Sequence, residues 1–118
     1  MAYDATLAAR IRTVLTGRRA ITERTMFGGI AFMVRGNMFV GIVGRSLMAR
    51  VGPASYEAAL REPYVRVMDF TGTPLRGYVY VGPRGIQSDH ELARWVGRCL
   101  DHARTLPAKR SAKRQGRR

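Results

Sequence analysis

The sequence predicts an α+β domain: a mainly antiparallel sheet, made of a β-meander plus a hairpin, with flanking helices in the order α-βββ(β)-α-ββ-α. Three observations carry that prediction. Apolar residues recur at helical spacing near both ends, as Leu7, Ala8, Ile11, Val14 and Leu15, and as Leu92, Trp95, Val96, Cys99, Leu100 and Ala103. Between them, "GGIAFMVRGNMFVGIVGRSLMARVG" alternates short apolar runs with glycines. The chain has 118 residues, which suits one domain.

Asp4 is placed to cap a first helix over residues 4–16, and Gly17 ends its periodic run. Arg10 and Arg12 fall off the apolar stripe and are expected to face water. An edge strand over Thr22 to Met26 is expected next. Three strands follow, turning at Gly36-Asn37 and at Gly44-Arg45. "ASYEAALRE" reads as a short helix with Glu57 and Arg61 paired at i,i+4, closed by Pro63. "YVRVMDF" reads as a strand, "TGTPLRG" as a loop and "GYVYV" as a strand. The last helix opens on a capping box, Ser88 with Glu91, and stops before Pro107.

The glycines invite a comparison with phosphate-binding loops. No G-x-G-x-x-G string occurs, and "GRS" at Gly44 has Phe39 where a P-loop needs its first glycine. The string "GIVG" has a strand-like interior. "GPRG" (Gly82 to Gly85) follows a strand rather than a helix, so it does not fit a KH-type clamp. These glycines are read as turns and close packing.

The formal net charge is +13. Residues 107–118, "PAKRSAKRQGRR", hold six cations and no acid: Lys109, Arg110, Lys113, Arg114, Arg117 and Arg118. They are expected to form a basic disordered tail after a folded domain spanning residues 1–106, because nothing larger than alanine is there to bury. A tail of this kind suits non-specific contact with nucleic acid. It lacks the apolar anchor that a membrane surface would require. The lone Cys99 precludes an internal disulfide and fits a reducing cytoplasm. No apolar run is long enough to span a bilayer.

Candidates for chemistry are few. Asp69, Asp89, Glu91, Asp101, His90 and His102 do not space themselves as a metal or catalytic set. Cys99 lies on the apolar stripe and reads as a small hydrophobe. Met26, Met33, Met38 and Met48 lie in different strands and read as core filling. Tyr78 and Tyr80 share one sheet face, where they either pack or stack on bases. No cofactor or metal is expected.

One ordered set of residues carries a family likeness: "MFGG" at Met26, Phe27, Gly28 and Gly29, "MFV" at Met38, "PY" at Pro63, "GYVYV" with Tyr78, and Asp89, Leu92 and Trp95 in the last helix. The chain resembles the TfoX N-terminal domain family, named for a bacterial competence regulator. The resemblance implies a bacterial, cytoplasmic α+β domain with an antiparallel sheet. It carries over no catalytic residue. Met26, Phe27, Gly28, Gly29, Tyr78, Asp89 and Trp95 mark the family and read as structural, with Phe27 in the core and Gly28-Gly29 at a bulge or tight bend. In the named regulator a helical domain follows, whereas here a stand-alone domain with a basic tail is expected.

The expected function is a non-enzymatic regulatory or adaptor module whose tail touches nucleic acid, with a protein partner of unknown identity. A dimerising interaction module with no DNA role is the alternative, and a small ligand-binding domain or enzyme is a third.

Overall fold

The carboxylate of Asp4 accepts from the backbone N–H groups of Thr6 (2.9 Å) and Leu7 (3.2 Å), which sets the start of α1, Ala5–Val14. The computed structural model describes residues 3–26, 28–70 and 72–109. Phe27 and the tail residues Arg110, Lys113, Arg114, Arg117 and Arg118, with the expectations placed on them, lie outside those residues.

The meander follows α1 as β1, Ile21–Met26, β2, Gly29–Val34, β3, Asn37–Val43, and β4, Ser46–Arg50. A short helix, α2, Tyr56–Leu60, leads to β5, Val65–Phe70, and β6, Thr73–Val81, and the chain closes with α3, Asp89–Arg104. All six strands form one antiparallel sheet in the order β1-β2-β3-β4-β6-β5. The predicted fold class is therefore the observed one.

Several local expectations change. The β2–β3 turn is centred on Arg35-Gly36, one residue earlier than expected, and both have positive φ (51° and 82°). That pair of left-handed residues is what a tight hairpin matching the twist of its strands requires. "TGTPLRG" is mostly strand rather than loop, because β6 begins at Thr73 and pairs with β5. Glu57 lies 3.9 Å from Arg76 of β6 instead of pairing with Arg61. Arg10 does not simply face water: its guanidinium donates to the Ile86 carbonyl (2.9 Å) and the Gln87 carbonyl (3.2 Å), tying α1 to the segment before α3.

All three helices lie on one side of the sheet. Ile30, Phe32, Val40, Ile42, Leu47, Ala49, Val79 and Val81 form one buried cluster with Leu7 and Ile11 of α1, Ala59 of α2, and Leu92, Trp95, Val96 and Cys99 of α3. β3 takes one extra residue opposite β2, since Phe32 pairs with Val40 but Met33 pairs with Met38. The bulge turns both Phe39 and Val40 into this core. The family-marking Gly29 is buried at the start of β2, where a Cβ would overlap the Ile42 carbonyl oxygen. Gly28 just before it has φ 72°, so the expected tight bend is present.

Candidate nucleic-acid interface

The chain beyond α3 is held by the β2–β3 turn. Arg35 donates to the carbonyls of Arg104 (2.7 Å) and Leu106 (3.3 Å), and the Asn37 amide donates to the Pro107 carbonyl (2.9 Å). The Lys109 N–H then donates to the Arg35 carbonyl at 2.8 Å. Gly36 makes this approach possible, because a side chain there would collide with the Lys109 backbone. The tail cations that follow Lys109 thus start from a fixed point at one end of β2 and β3. Asn37, 3% exposed, is the buried polar side chain of the clamp. Sequence reading missed this clamp. Arg35 read as the end of a strand and Asn37 as a turn residue, and their partners lie about 70 positions away.

Carboxylates gather on the helix side. Glu23 projects from β1 toward α1 and takes two bonds from Arg12 (2.7 and 2.9 Å). These bonds hold the Glu23 carboxyl below the ordinary carboxylate range and push the Arg12 guanidinium up. Burial by itself would raise the carboxyl of Glu62. The charged bonds from Arg98 (2.8 Å) and Arg94 (2.9 Å) outweigh it and hold that group low. Glu91 accepts from Arg94 as well, so its carboxylate does not complete the capping box, although Ser88 accepts from the Glu91 N–H at 3.1 Å. Asp89, the first residue of α3, sits 3.4 Å from Arg10. Asp69 lies far from these, opposite Pro74 at the end of the β5–β6 hairpin. The structure does not bring Asp69 and Asp89 into a shared cleft with an arginine.

Tyr78 and Tyr80 are half-buried on the side without helices, and each lies under a guanidinium. Arg50 stands 5.4 Å from the Tyr78 ring centre and Arg66 stands 4.8 Å from that of Tyr80. Of the methionines, Met33 and Met48 are buried, as core filling implies, and they lie on this second face rather than in the helix-side cluster. Met26 is half-buried at the end of β1. Trp95 is 1% exposed, and Arg94 and Arg98 of the same helix lie 5.1 and 4.9 Å from its ring.

Other candidates resolve into packing. Burial pushes the Cys99 thiol up to about 12, so it is not a thiolate nucleophile at neutral pH. The imidazole of His102 packs against Gly52, whose φ is 90°. Among the described residues no group of three acidic, histidine or cysteine side chains could hold a metal. No helix among them is long and apolar enough to cross a membrane. A cleft of about 300 Å³ opens between α1 and the segment before α3, lined by Asp4, Leu7, Arg10, Arg45 and Arg84.

This arrangement defines a small α+β domain with an antiparallel sheet, helices on one face, and Glu23, Glu62, Asp89 and Glu91 paired with arginines on that side. The chain matches the family model of the TfoX N-terminal domain over residues 13–103 and belongs to that family. The matched span includes every residue that marks the family in the sequence. No curated protein matches the chain significantly.

Proposed function

We propose that this protein is a regulatory or adaptor domain of the bacterial cytoplasm. It works without catalysis and contacts nucleic acid through its basic tail. The observation that carries the reading is the six-cation, acid-free run of residues 107–118, launched from the Arg35 clamp. Each phosphate neutralised by the tail releases counterions, which gives affinity without sequence preference. The carboxylates Glu23, Glu62, Glu91 and Asp89 are engaged by arginines, which supports a structural rather than a catalytic role for them.

Binding of a fluorescent duplex DNA across a salt series tests this in the full chain. The comparison is with a variant in which Arg110, Lys113, Arg114, Arg117 and Arg118 are all replaced by glutamine. The slope of log K against log salt should flatten by up to about 4.5 if all five cations contact phosphates. An unchanged slope removes the tail from the account. No binding by either protein at low salt removes the nucleic-acid reading.

A protein-interaction module is the second reading, and one observation favours it. The exposed large apolar residues Tyr64 (54%) and Val67 (40%) lie at or beside edge strand β5. An edge with free backbone groups and apolar cover can pair with a second copy. Light scattering on the purified protein would show a dimer that Val67→Lys dissolves.

A further inference from the structure

We propose that the cleft between α1 and the segment before α3 is a binding site for a small phosphomonoester, apart from the tail. The cleft holds about 300 Å³, the lower end of the range for small-molecule sites. Three guanidiniums from three separate segments line it: Arg10 of α1, Arg45 of the β3–β4 turn and Arg84 of the turn after β6.

The chain ties those segments to one another. The Asp4 N–H donates to the Gly44 carbonyl at 2.8 Å, which pins the start of α1 beside Arg45. Arg10 donates to the Ile86 and Gln87 carbonyls, which pins α1 to the turn that carries Arg84. That turn is held in its own right. The Gly82 N–H donates to the Tyr64 carbonyl and the Gly85 N–H to the Gly82 carbonyl, at 2.8 and 2.9 Å. The three arginines therefore stand on a frame that is in place before a ligand arrives, which lowers the ordering cost of binding.

Charge decides the occupant. Guanidiniums that share one cleft repel each other until an anion sits among them. Arg45 and Arg84 are exposed and form no ion pair among the described residues. Arg10 makes its contacts through Nη2, including the 3.4 Å contact to Asp89, and its Nε and Nη1 are not used in them. The carboxylate in the wall is Asp4, whose Oδ1 already accepts from the Thr6 and Leu7 N–H groups of the first turn of α1. Three arginines against one aspartate leave the wall at +2. A phosphomonoester carries about −1.5 to −2 at neutral pH and offers three oxygens to the forked donors of arginine. A monocarboxylate leaves half of that charge unbalanced. Leu7 and Ile86 form a buried apolar floor and Pro83 lies beside it, which suits a small organic body on the phosphate. A DNA duplex is too wide to enter, and each of its phosphodiesters brings a single charge. The basic tail is repelled by the same arginines.

Isothermal titration calorimetry with phenyl phosphate tests the site in the full chain. Inorganic phosphate and benzoate are the comparison ligands, and a short DNA duplex is the competitor. The proteins are the wild type, Arg45→Gln, Arg84→Gln, the five-glutamine tail variant, and the pair Arg24→Gln/Arg66→Gln on the other side of the sheet. Phenyl phosphate should bind once per chain. It should bind more tightly than inorganic phosphate, which lacks the apolar body, and than benzoate, which lacks the second charge. Arg45→Gln and Arg84→Gln should each weaken it by about ten-fold, the scale of a lost charged hydrogen bond. Both side chains are exposed, so the substitutions leave the core intact. The tail variant and the Arg24/Arg66 pair should bind as the wild type does, although each removes more positive charge than either cleft substitution.

The proposal is overturned if phenyl phosphate shows no saturable binding up to about 10 mM. It is also overturned if benzoate or inorganic phosphate binds equally well, or if the Arg24/Arg66 pair weakens binding as much as Arg45→Gln, which would make net charge the cause. Loss of binding in the tail variant would move the site to the tail. Displacement of phenyl phosphate from the tail variant by the duplex would make a nucleic-acid backbone the occupant instead. Failure of the tail reading looks different: the tail variant would then match the full chain on duplex DNA, with phenyl phosphate binding unchanged.

Discussion

The two faces of this sheet are made by the same strands, yet they are built to different rules. Consecutive residues Leu47 and Met48 of β4 show it. Leu47 points into branched and aromatic side chains that interlock with α1 and α3, and is 0% exposed. Met48 is nearly as hidden, 1% exposed, but its neighbours on the sheet are Gly41 and Tyr80. On the helix side, shape complementarity fixes one packing. On the other side the small Ala31 and Gly41 and the flexible Met33 and Met48 are buried as well, while Tyr78 and Tyr80 lie half-buried under arginines.

The largest effect should come from the helix side. Trp95→Ala removes the largest of the fully buried side chains and should cost about 3–5 kcal/mol, measured by urea denaturation. For a domain of this size that is a large share of the total stability, on the order of 5–15 kcal/mol. A loss below about 1 kcal/mol would mean that α3 is not the lid of the core.

Leu47→Ala and Met48→Ala form the sharpest paired test. Leu47→Ala should cost about 3 kcal/mol or more, since it leaves a closed cavity. Met48→Ala should cost on the same scale, about 2–5 kcal/mol, because Met48 is 1% exposed and its truncation also leaves a cavity. A loss below about 1 kcal/mol for Met48→Ala would show that the methionine face is not packed as a core.

The sequence showed one of these faces clearly. The 3.6-residue periodicity of α1 and α3 and the apolar runs of β2 to β4 identify what must be buried together, so the fold class and the strand-turn order were legible. Family-marking Gly28 and Gly29 were also read correctly as a bend. The helix-free face was less legible because its character is set by register. A row across it, Arg24, Ala31, Gly41, Met48, Tyr80 and Arg66, draws one residue from each of six strands, and neither the bulge near Phe39 nor the pairing of β6 with β4 can be read from local spacing. Reading the methionines as core filling followed from their residue type and holds for the buried Met33 and Met48; which sheet face they fill is set by register, as the pairing of Met33 with Met38 shows. The Arg35 clamp was hidden for a similar reason, since its partners come from the far end of the chain.

Acid should act mainly on the helix side, and with moderate effect. Glu23 and Glu62 have carboxyl groups held low in the folded state, so their contribution is fully present above the ordinary carboxylate range of about 4.3. It is lost as the pH falls through the lower folded values, because the unfolded chain then binds more protons. Glu62→Gln should therefore lower stability at pH 7 by about 1 kcal/mol, a figure discounted for the partial exposure of its partners. The same variant should lose less stability than the wild type between pH 5 and pH 3, in roughly that amount. Parallel curves for the two proteins would remove Glu62 from the link between α2 and α3.

The smallest effect is expected where the helix-free face is most charged. Arg66 is exposed, and its partner among the described residues is the Tyr80 ring, a contact worth about 0.5–1 kcal/mol at such a site. Removing it also relieves a chain of net charge +13 from one repulsive term. The two effects oppose each other, so Arg66→Gln should change stability by no more than about 0.5 kcal/mol. The balance should move with salt. In dilute buffer, where the screening length is about 30 Å at 0.01 M, relief of repulsion counts most and the variant gains on the wild type. At 0.15 M, where screening acts within about 8 Å, the lost ring contact is what remains. Thermal unfolding at both salt concentrations reads the difference directly. A loss above about 1 kcal/mol at either would make Arg66 a structural brace for Tyr80.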